Sequence, residues 1–462
     1  MSISMIGMDA KLKRTFVKIT VAPSDPLISL GNSLPWRDLA NVVLPDLKKT
    51  EKGLWWTGRP LFLRIHLAIL ILQCLFKETD RGITNRILST PVLQVFCGLS
   101  IVLKWFCPNH TKIMKFRNRL SGETMKLIGQ CVIQKAVELG FANPTWMDVD
   151  STVQEANMSY PSDASLMLKL ANKCQKILDY MVVFGGKHWP KNLDIDLKSI
   201  KSKSMEYFFL AKNTAIEKKR ELFQAYHQVV KKNLRGTIEA CSSFPKNALE
   251  KLPWNIKQDL TLVGDLGWRY LLDVAHFIRT HSIKPGKTLA FHLSSVACIK
   301  KGKIGKENEF GRAFHVGRIG GNFLLPLPST SVKMPDKKSL ILAAEEHQKV
   351  FGADTLESIG ADKGYYSAQN IRVIGSKNIN TDGIQRPVNI KDQPPRSQTI
   401  GLRDRRAGIE PLIGHVKSFG LKRSTTKSDL TTLSSGYRSI LGFNLHQLSN
   451  HLQGKAVGIS EN

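Results

Sequence analysis

The sequence predicts an α/β protein: a mixed sheet flanked by helices, with an all-helical domain before it and a helical insertion inside it. Three observations carry this. Residues 35–140 are patterned almost wholly at helical period. Residues 145–156 alternate at period two. From about Thr288 strand patterning returns, first around a Gly-Gly-Asn turn and then in alternation with helices. Antiparallel strands that pass into alternating strand and helix give a mixed sheet with helices on its faces.

Residues 1–34 are loosely patterned and read as an arm. From Pro35, LPWRDLANVVLPDL places Leu39, Val42 and Val43 at i, i+3 and i+4 of a helix. Residues 60–77 read as a buried helix, and Thr79-Asp80 offers an N-cap for RGITNRILS. A break at Thr90-Pro91 precedes a short apolar helix, and residues 109–139 are again helical and basic. Arg and Lys on one side of short helices suit helix-turn-helix DNA binding, and a plain helical bundle fits the same pattern.

TWMDVDSTVQEA, residues 145–156, reads as a strand. Met147, Val149, Ser151 and Val153 share one face; Trp146, Asp148, Asp150 and Thr152 share the other. Residues 165–285 then read as a helical insertion: a helix through Leu170, Cys174, Ile177 and Met181, a lysine-rich linker at 187–204, a long basic helix over 205–234 and a third helix over 260–281. TLAFHLSSVACI resumes the strands, and KKGKIGKENE reads as a basic loop carrying Lys300, Lys301 and Lys303. Two apolar runs around Gly320-Gly321-Asn322 signal a hairpin. A helix over 337–351, a strand ending at Asp362, a helix, a last strand NINTDGIQR, a Pro-rich mobile loop at 387–398 and a terminal helix over about 427–452 complete the order.

Lys and Arg total 67 against 38 Asp and Glu, a formal charge of +29. Such an excess repels itself in a compact fold unless a polyanion compensates, and nucleic acid is the first candidate. A membrane span is disfavoured. The most apolar run, residues 61–76, contains Arg64 and His66 and falls short of the roughly 20 apolar residues a span needs. The stretch MSISMIGMDAKLKRTF has no apolar core of signal-peptide length. Seven cysteines stand apart with no Cys-x-x-Cys pair, which disfavours zinc and disulfide frameworks and suits a reducing compartment. The expected place is the cytoplasm, associated with the nucleoid.

Three acids occupy comparable places: Asp150 or Asp148 on a strand, Asp362 at a strand end, and Glu410 in RDRRAGIEPLIGHVKSFGLKRS, residues 403–424. Each has a plain structural reading: an exposed strand face, a turn aspartate before Lys-Gly, and an intrahelical ion pair. Together they suit hard divalent cations, which choose oxygen ligands and can clamp a phosphodiester in pairs. Pro411 disfavours helical geometry at Glu410, so a helix either starts there or kinks there.

These stretches resemble the insertion-sequence DDE transposases with an RNase H-like catalytic core, over nearly the whole chain. MDVDSTVQEANMSYPSDASLM resembles the first-aspartate region and selects Asp150 over Asp148. KKGKIGKENEFGRAFHVGRIGGNFLL resembles the basic loop and hairpin, GADKGYYS the second-aspartate motif at Asp362, and RRAGIEPLIGHVK the glutamate motif at Glu410. The Arg four residues before that acid and the Lys seven after it are Arg406 and Lys417. Where some members have a tyrosine, this chain has Arg403. LPWRDL through FCGL resembles the family's N-terminal DNA-binding domain.

The resemblance implies a DNA-binding domain at 35–140, a catalytic core at 141–164 and 286–425 split by the insertion at 165–285, and a C-terminal helix and tail at 426–462. It implies two Mg²⁺, or Mn²⁺, held by Asp150, Asp362 and Glu410. It implies double-stranded DNA as partner, at transposon ends and target, with Arg403, Arg406, Lys417, Lys422, Arg423, Lys300, Lys301 and Lys303 toward phosphates. It implies a homodimer when bound to DNA ends. Two rival functions stay open: an inert DNA-binding relative, and a metal-dependent nuclease that cuts without joining.

Overall fold

The computed structural model describes residues 21–48, 63–98, 107–184, 196–210, 214–244, 249–250, 252–293, 296–303, 306–329, 333–387 and 394–455. The chain begins with α1 (Pro26–Ser33), α2 (Trp36–Lys48), α3 (Leu63–Phe76), α4 (Asp80–Ser89), α5 (Pro91–Phe96), α6 (His110–Arg119) and α7 (Gly122–Glu138). Their starts are set by local chemistry. Thr79 Oγ1 accepts from the Gly82 amide at 3.0 Å, Asn109 Oδ1 from Lys112 at 3.0 Å and Ser121 Oγ from Thr124 at 3.1 Å. Each such cap is worth about 1 kcal/mol. Pro91 opens α5, where its missing N–H is not needed.

Helix α1 lies within the segment expected as an arm. Asp25 caps it, Pro26 preorganises its first turn, and Leu30 is fully buried. In α3 every residue from His66 to Cys74 is buried, so its apolar run is a core helix. Among the described residues no helix is long and apolar enough to cross a membrane.

Strand β1 (Trp146–Glu155) is the centre of a six-stranded sheet with β2 (Ala297–Lys303), β3 (Lys306–Ile319), β4 (Phe323–Pro326), β5 (Ser358–Ala361) and β6 (Asn380–Ile384). The order is β2-β3-β1-β5-β6, with β4 also on β3. β1, β5 and β6 run parallel, and β3 is antiparallel to β1. The Gly320–Asn322 turn joins β3 and β4 as the expected hairpin.

Two strand readings are corrected. Regular pairing begins at Ala297 rather than Thr288, because Ala290 and Leu293 turn inward under a loop to pack with Ala156. The run expected as a basic loop is mostly paired backbone: Lys300 lies opposite Asn308, and Lys303 opposite Lys306. Ladder partners satisfy that backbone, whatever its composition suggests.

The insertion comprises α8 (Asp163–Phe184), α9 (Leu197–Phe208), α10 (Ile216–Ser242), α11 (Trp254–Thr261), a π-helical segment Leu262–Gly267, and α12 (Trp268–Thr280). From Leu197 the expected linker is helix, capped by Asp196 and anchored by buried Ile200. The expected helix over 205–234 is divided, since α9 ends at Phe208 and α10 starts at Ile216. After β4 come α13 (Asp336–Phe351), α14 (Ala368–Gly375), α15 (Arg396–Ala407), α16 (Ile409–Val416) and α17 (Asp429–Leu452). Of the loop expected at 387–398, residues 396–398 are already in α15 and 388–393 lie outside the described residues.

One buried cluster runs from Leu30 of α1 through the sheet to Leu448 of α17. A second, separate cluster fills the insertion around Leu170, Tyr226 and Val230. Helix α17 packs on α3, α7 and β4, and the Asn444 amide bonds both the amide and the carbonyl of Leu324, at 2.9 and 2.8 Å.

Candidate active site

The parallel strands bring the site together. Val149 pairs with Ala361, so Asp150 and Asp362 follow side by side, on strands about 4.8 Å apart. Both are half-buried. The Asp362 backbone stays extended, and its carboxylate accepts from the Lys363 amide. Gln385, the residue after β6, donates from its own amide to the Ala361 carbonyl at 2.9 Å. With its side-chain nitrogen facing Asp362, Gln385 donates to Asp362 Oδ1 at 3.1 Å and accepts from Arg406 Nη1 at 3.2 Å. Arg406 Nη2 lies 3.7 Å from Glu410 Oε1. A chain of contacts thus runs Asp362–Gln385–Arg406–Glu410 beside Asp150. The carboxyl ends of parallel strands are where open α/β sheets place their ligands.

Glu410 sits in the first turn of α16, one residue before Pro411, and projects from the helix mouth with 68% of its side chain exposed. Pro411 falls where a helix tolerates a missing N–H. Arg406 is in the last turn of the preceding helix α15 and is nearly buried, at 11% exposure. It therefore faces the acids rather than open solvent.

Asp148 has a different fate from Asp150. It is completely buried. Arg405 holds it through Nε and Nη2 at 3.2 and 3.0 Å, and Arg318 Nη1 stands 3.9 Å away. Arg405 also donates to Ser358 Oγ at 3.0 Å and lies over the Trp146 ring, and Arg318 donates to the Arg405 carbonyl. Burial pushes the Asp148 carboxyl up from its ordinary value, and the two guanidinium groups oppose that. Two close approaches require glycine. A Cβ on Gly360 would lie 2.3 Å from Asp148 Oδ1, and one on Gly408 would lie 2.3 Å from Arg318 Nη1. Asp148 is a strut that fastens α15 to β1, and Asp150 is the β1 acid left at the surface.

Behind Asp150, Tyr365 is fully buried with its hydroxyl 3.3 Å from His315 Nδ1. Burial raises its phenol well above the ordinary value, and the Asp336 and Asp150 charges add to that.

The basic residues divide. Arg403 is exposed on α15, and Lys417 is half-buried at the start of the π-helical segment Lys417–Leu421. Lys422 and Arg423 are exposed and run beside the far end of β1, where the Glu155 amide donates to the Lys422 carbonyl at 3.1 Å and the Ser424 amide to the Glu155 carbonyl at 2.8 Å. Lys300, Lys301 and Lys303 sit on β2, two strands from β1.

All donors offered by the three acids are hard oxygens, the set that suits Mg²⁺. Among the described residues no three carboxylate, imidazole or thiolate groups stand close enough to hold one ion together. Asp150 and Asp362 are neighbours, while Glu410 is turned to Arg406. Sequence reasoning missed Gln385 and the inward roles of Arg405 and Arg318. The one available signal was position: Gln385 directly follows the last strand, as Asp362 follows β5.

Residues 17–119 match the model of a family described as a transposase domain, DUF772. A Rhizobium meliloti protein, described as the uncharacterized protein ORF8 in the nfe locus, is 22% identical over 153 residues, which cover 32% of this chain and 70% of the relative. No solved structure matches.

Proposed function

We propose that this chain, which carries a transposase domain in its amino-terminal part, is a DDE transposase of a bacterial insertion sequence. It binds double-stranded DNA at the element's ends and at the target, cuts a strand and joins the freed 3′-OH. The observation that carries this is Asp150 beside Asp362, with Glu410 linked to Asp362 through Gln385 and Arg406, in a chain of charge +29. We read the sheet, with three parallel strands and one antiparallel neighbour on β1, as RNase H-like.

Asp150, Asp362 and Glu410 would hold Mg²⁺ or Mn²⁺, and Glu410 joins the aspartates by turning away from Arg406. When bound, a pair of such ions stabilises both the attacking and the leaving oxygen of an in-line displacement. The chain's own groups do the rest. Gln385 holds Asp362 in place. Arg406 balances the acids' mutual repulsion and, once a phosphate competes for it, releases Glu410. Arg403 and Lys417 grip the backbone near the acids, Lys422 and Arg423 do so at the far end of β1, and Lys300, Lys301 and Lys303 on β2. The protein acts as a homodimer on paired ends, in the cytoplasm at the nucleoid.

The test incubates the protein with Mg²⁺ and a labelled duplex carrying the element's end. A joined product is expected. Cleavage without joining points to a nuclease, and a shifted but intact duplex to an inert binder; either result overturns the proposal. Glu410→Gln should abolish cleavage and leave binding intact.

A further inference from the structure

A second feature lies about 17 Å along β1 from Asp150, at the rise of an extended strand. There the 417–425 segment, the end of α3 and the face of α17 enclose a cavity of about 240 Å³. Lys77, Arg423 and Arg438 stand in its wall with one acid, Glu78. Glu78 already faces Arg86 Nη1 at 3.5 Å. Arg438 Nε and Gln73 Oε1, both on wall residues, are buried and meet no hydrogen-bond partner among the described residues. The nearby carboxylate, Asp80, attracts Arg438 through space and accepts hydrogen bonds from Arg117 and from Gln73 Nε2 at 2.8 Å.

An unpaired buried donor is costly, and more so when it is charged. Such a group persists where a ligand completes it. Lys77 sustains a left-handed backbone, φ 57°, unusual for a residue with a side chain, and its Nζ stands 4.2 Å from the centre of the Phe419 ring. That posture holds the ammonium against the same segment that carries Arg423. Serine hydroxyls of Ser418 and Ser439 complete the wall.

We propose that this cavity binds a phosphate oxyanion, presented by the backbone of the DNA strand that runs past the acids. The proposal rests on the transposase reading for the source of the phosphate, not for the site itself. Arg438 and Lys77 supply charge, the Ser418 hydroxyl supplies a neutral donor, and Arg423 closes the mouth, while the Ser439 hydroxyl donates to the Ser435 carbonyl at 3.1 Å. A pocket of this kind would fix the distance between the reacting phosphodiester and a phosphate further along the strand.

Two arms test it without using cleavage. In the first, inorganic phosphate is titrated into the full chain at constant ionic strength, and the melting temperature is followed against a chloride control. A saturable rise is expected for the wild type, and little or none for Arg438→Gln or Lys77→Ala. No rise in the wild type, or the same rise in both variants, overturns the pocket. Lys77 is exposed, so its variant keeps the arm decisive if Arg438→Gln fails to fold. In the second arm, duplex DNA binding is measured against salt. Lys77→Ala should lower the slope of log K against log salt by about 0.9, one phosphate contact. A phosphate rise with an unchanged slope would show a free-anion site and overturn the DNA assignment. A failed cleavage assay with both arms positive would overturn the transposase reading alone.

Discussion

The helices before β1 and the helices inserted after it are both largely helical runs wrapped around buried leucines, but they stand differently to the sheet. Leu72 of α3 and Ile128 of α7 lie in one cluster with Phe314 and Leu324 of the strands. Leu170, Tyr226 and Val230 of the insertion lie in a second cluster, with other insertion residues and Phe291. The first group is tied to the sheet by polar contacts as well. Lys126 Nζ and Gln130 Nε2 of α7 both meet Glu346 Oε1 of α13 at 2.6 Å, in buried surroundings. Within the insertion, the Tyr226 and Tyr270 hydroxyls bond the Ala164 and Asp163 carbonyls at the start of α8, at 3.0 and 2.9 Å. A shared core makes two regions unfold together; a private core lets one open alone.

The largest effect expected is at the buried ion pair. Lys126→Met leaves the buried Glu346 charge with only the neutral Gln130 amide as partner and should lower stability by about 3–5 kcal/mol. Denaturant unfolding followed by a probe on the sheet would show it; a loss confined to the amino-terminal helices would break the claim of one core. Next come matched core truncations. Leu72→Ala and Val230→Ala should each cost about 2–5 kcal/mol. Hydrogen exchange should find the first loss spread over helices and sheet and the second limited to the insertion. Spread of the Val230 effect to β1 would unite the two regions.

A pH experiment probes the shared core. His347 is fully buried on α13, and burial lowers its imidazole from 6.5 to about 4. The unfolded chain takes up that proton below about pH 6.5 while the fold refuses it until about pH 4. Stability is thus fully present above pH 6.5 and falls toward pH 4, by up to about 3 kcal/mol. His347→Gln should flatten part of that loss in urea titrations at pH 7.5 and 4.5. An identical pH dependence would remove His347 from the account. The smallest effect is expected within the insertion. Asp259 meets Lys173 Nζ and Lys176 Nζ at 2.5 and 2.7 Å, with both lysines partly in water. Asp259→Asn should cost about 1 kcal/mol or less and show mainly at low salt.

Much of this was legible residue by residue. Thr79 was readable as a cap, Gly320-Gly321-Asn322 as a hairpin turn, and Asp362 as a strand-end acid, because caps, turns and alternation are written within a few residues. The same local logic misread KKGKIGKENE, whose partners in the ladder are not visible in its composition. It also left open whether Asp148 or Asp150 faced the site. Arg405, 257 residues away in the chain, holds Asp148 in a buried pair, while Asp150 stays half-buried.

What the sequence by itself determined is the order of elements, the basic character of the chain, and the presence of three acids: one on a strand, one at a strand end and one in the last basic stretch. Each follows from periodicity, turn chemistry or simple charge, which need no distant partner. What only the tertiary structure decided is which acids meet and which cations answer them. Parallel pairing of Val149 with Ala361 sets Asp150 beside Asp362, and Gln385 and Arg406 bring Glu410 to the same end. Arg405 and Arg406 are adjacent in sequence, yet one holds a buried strut and the other faces the acids. Successive residues of a helix point about 100° apart, so their roles are assigned by what each finds across the fold.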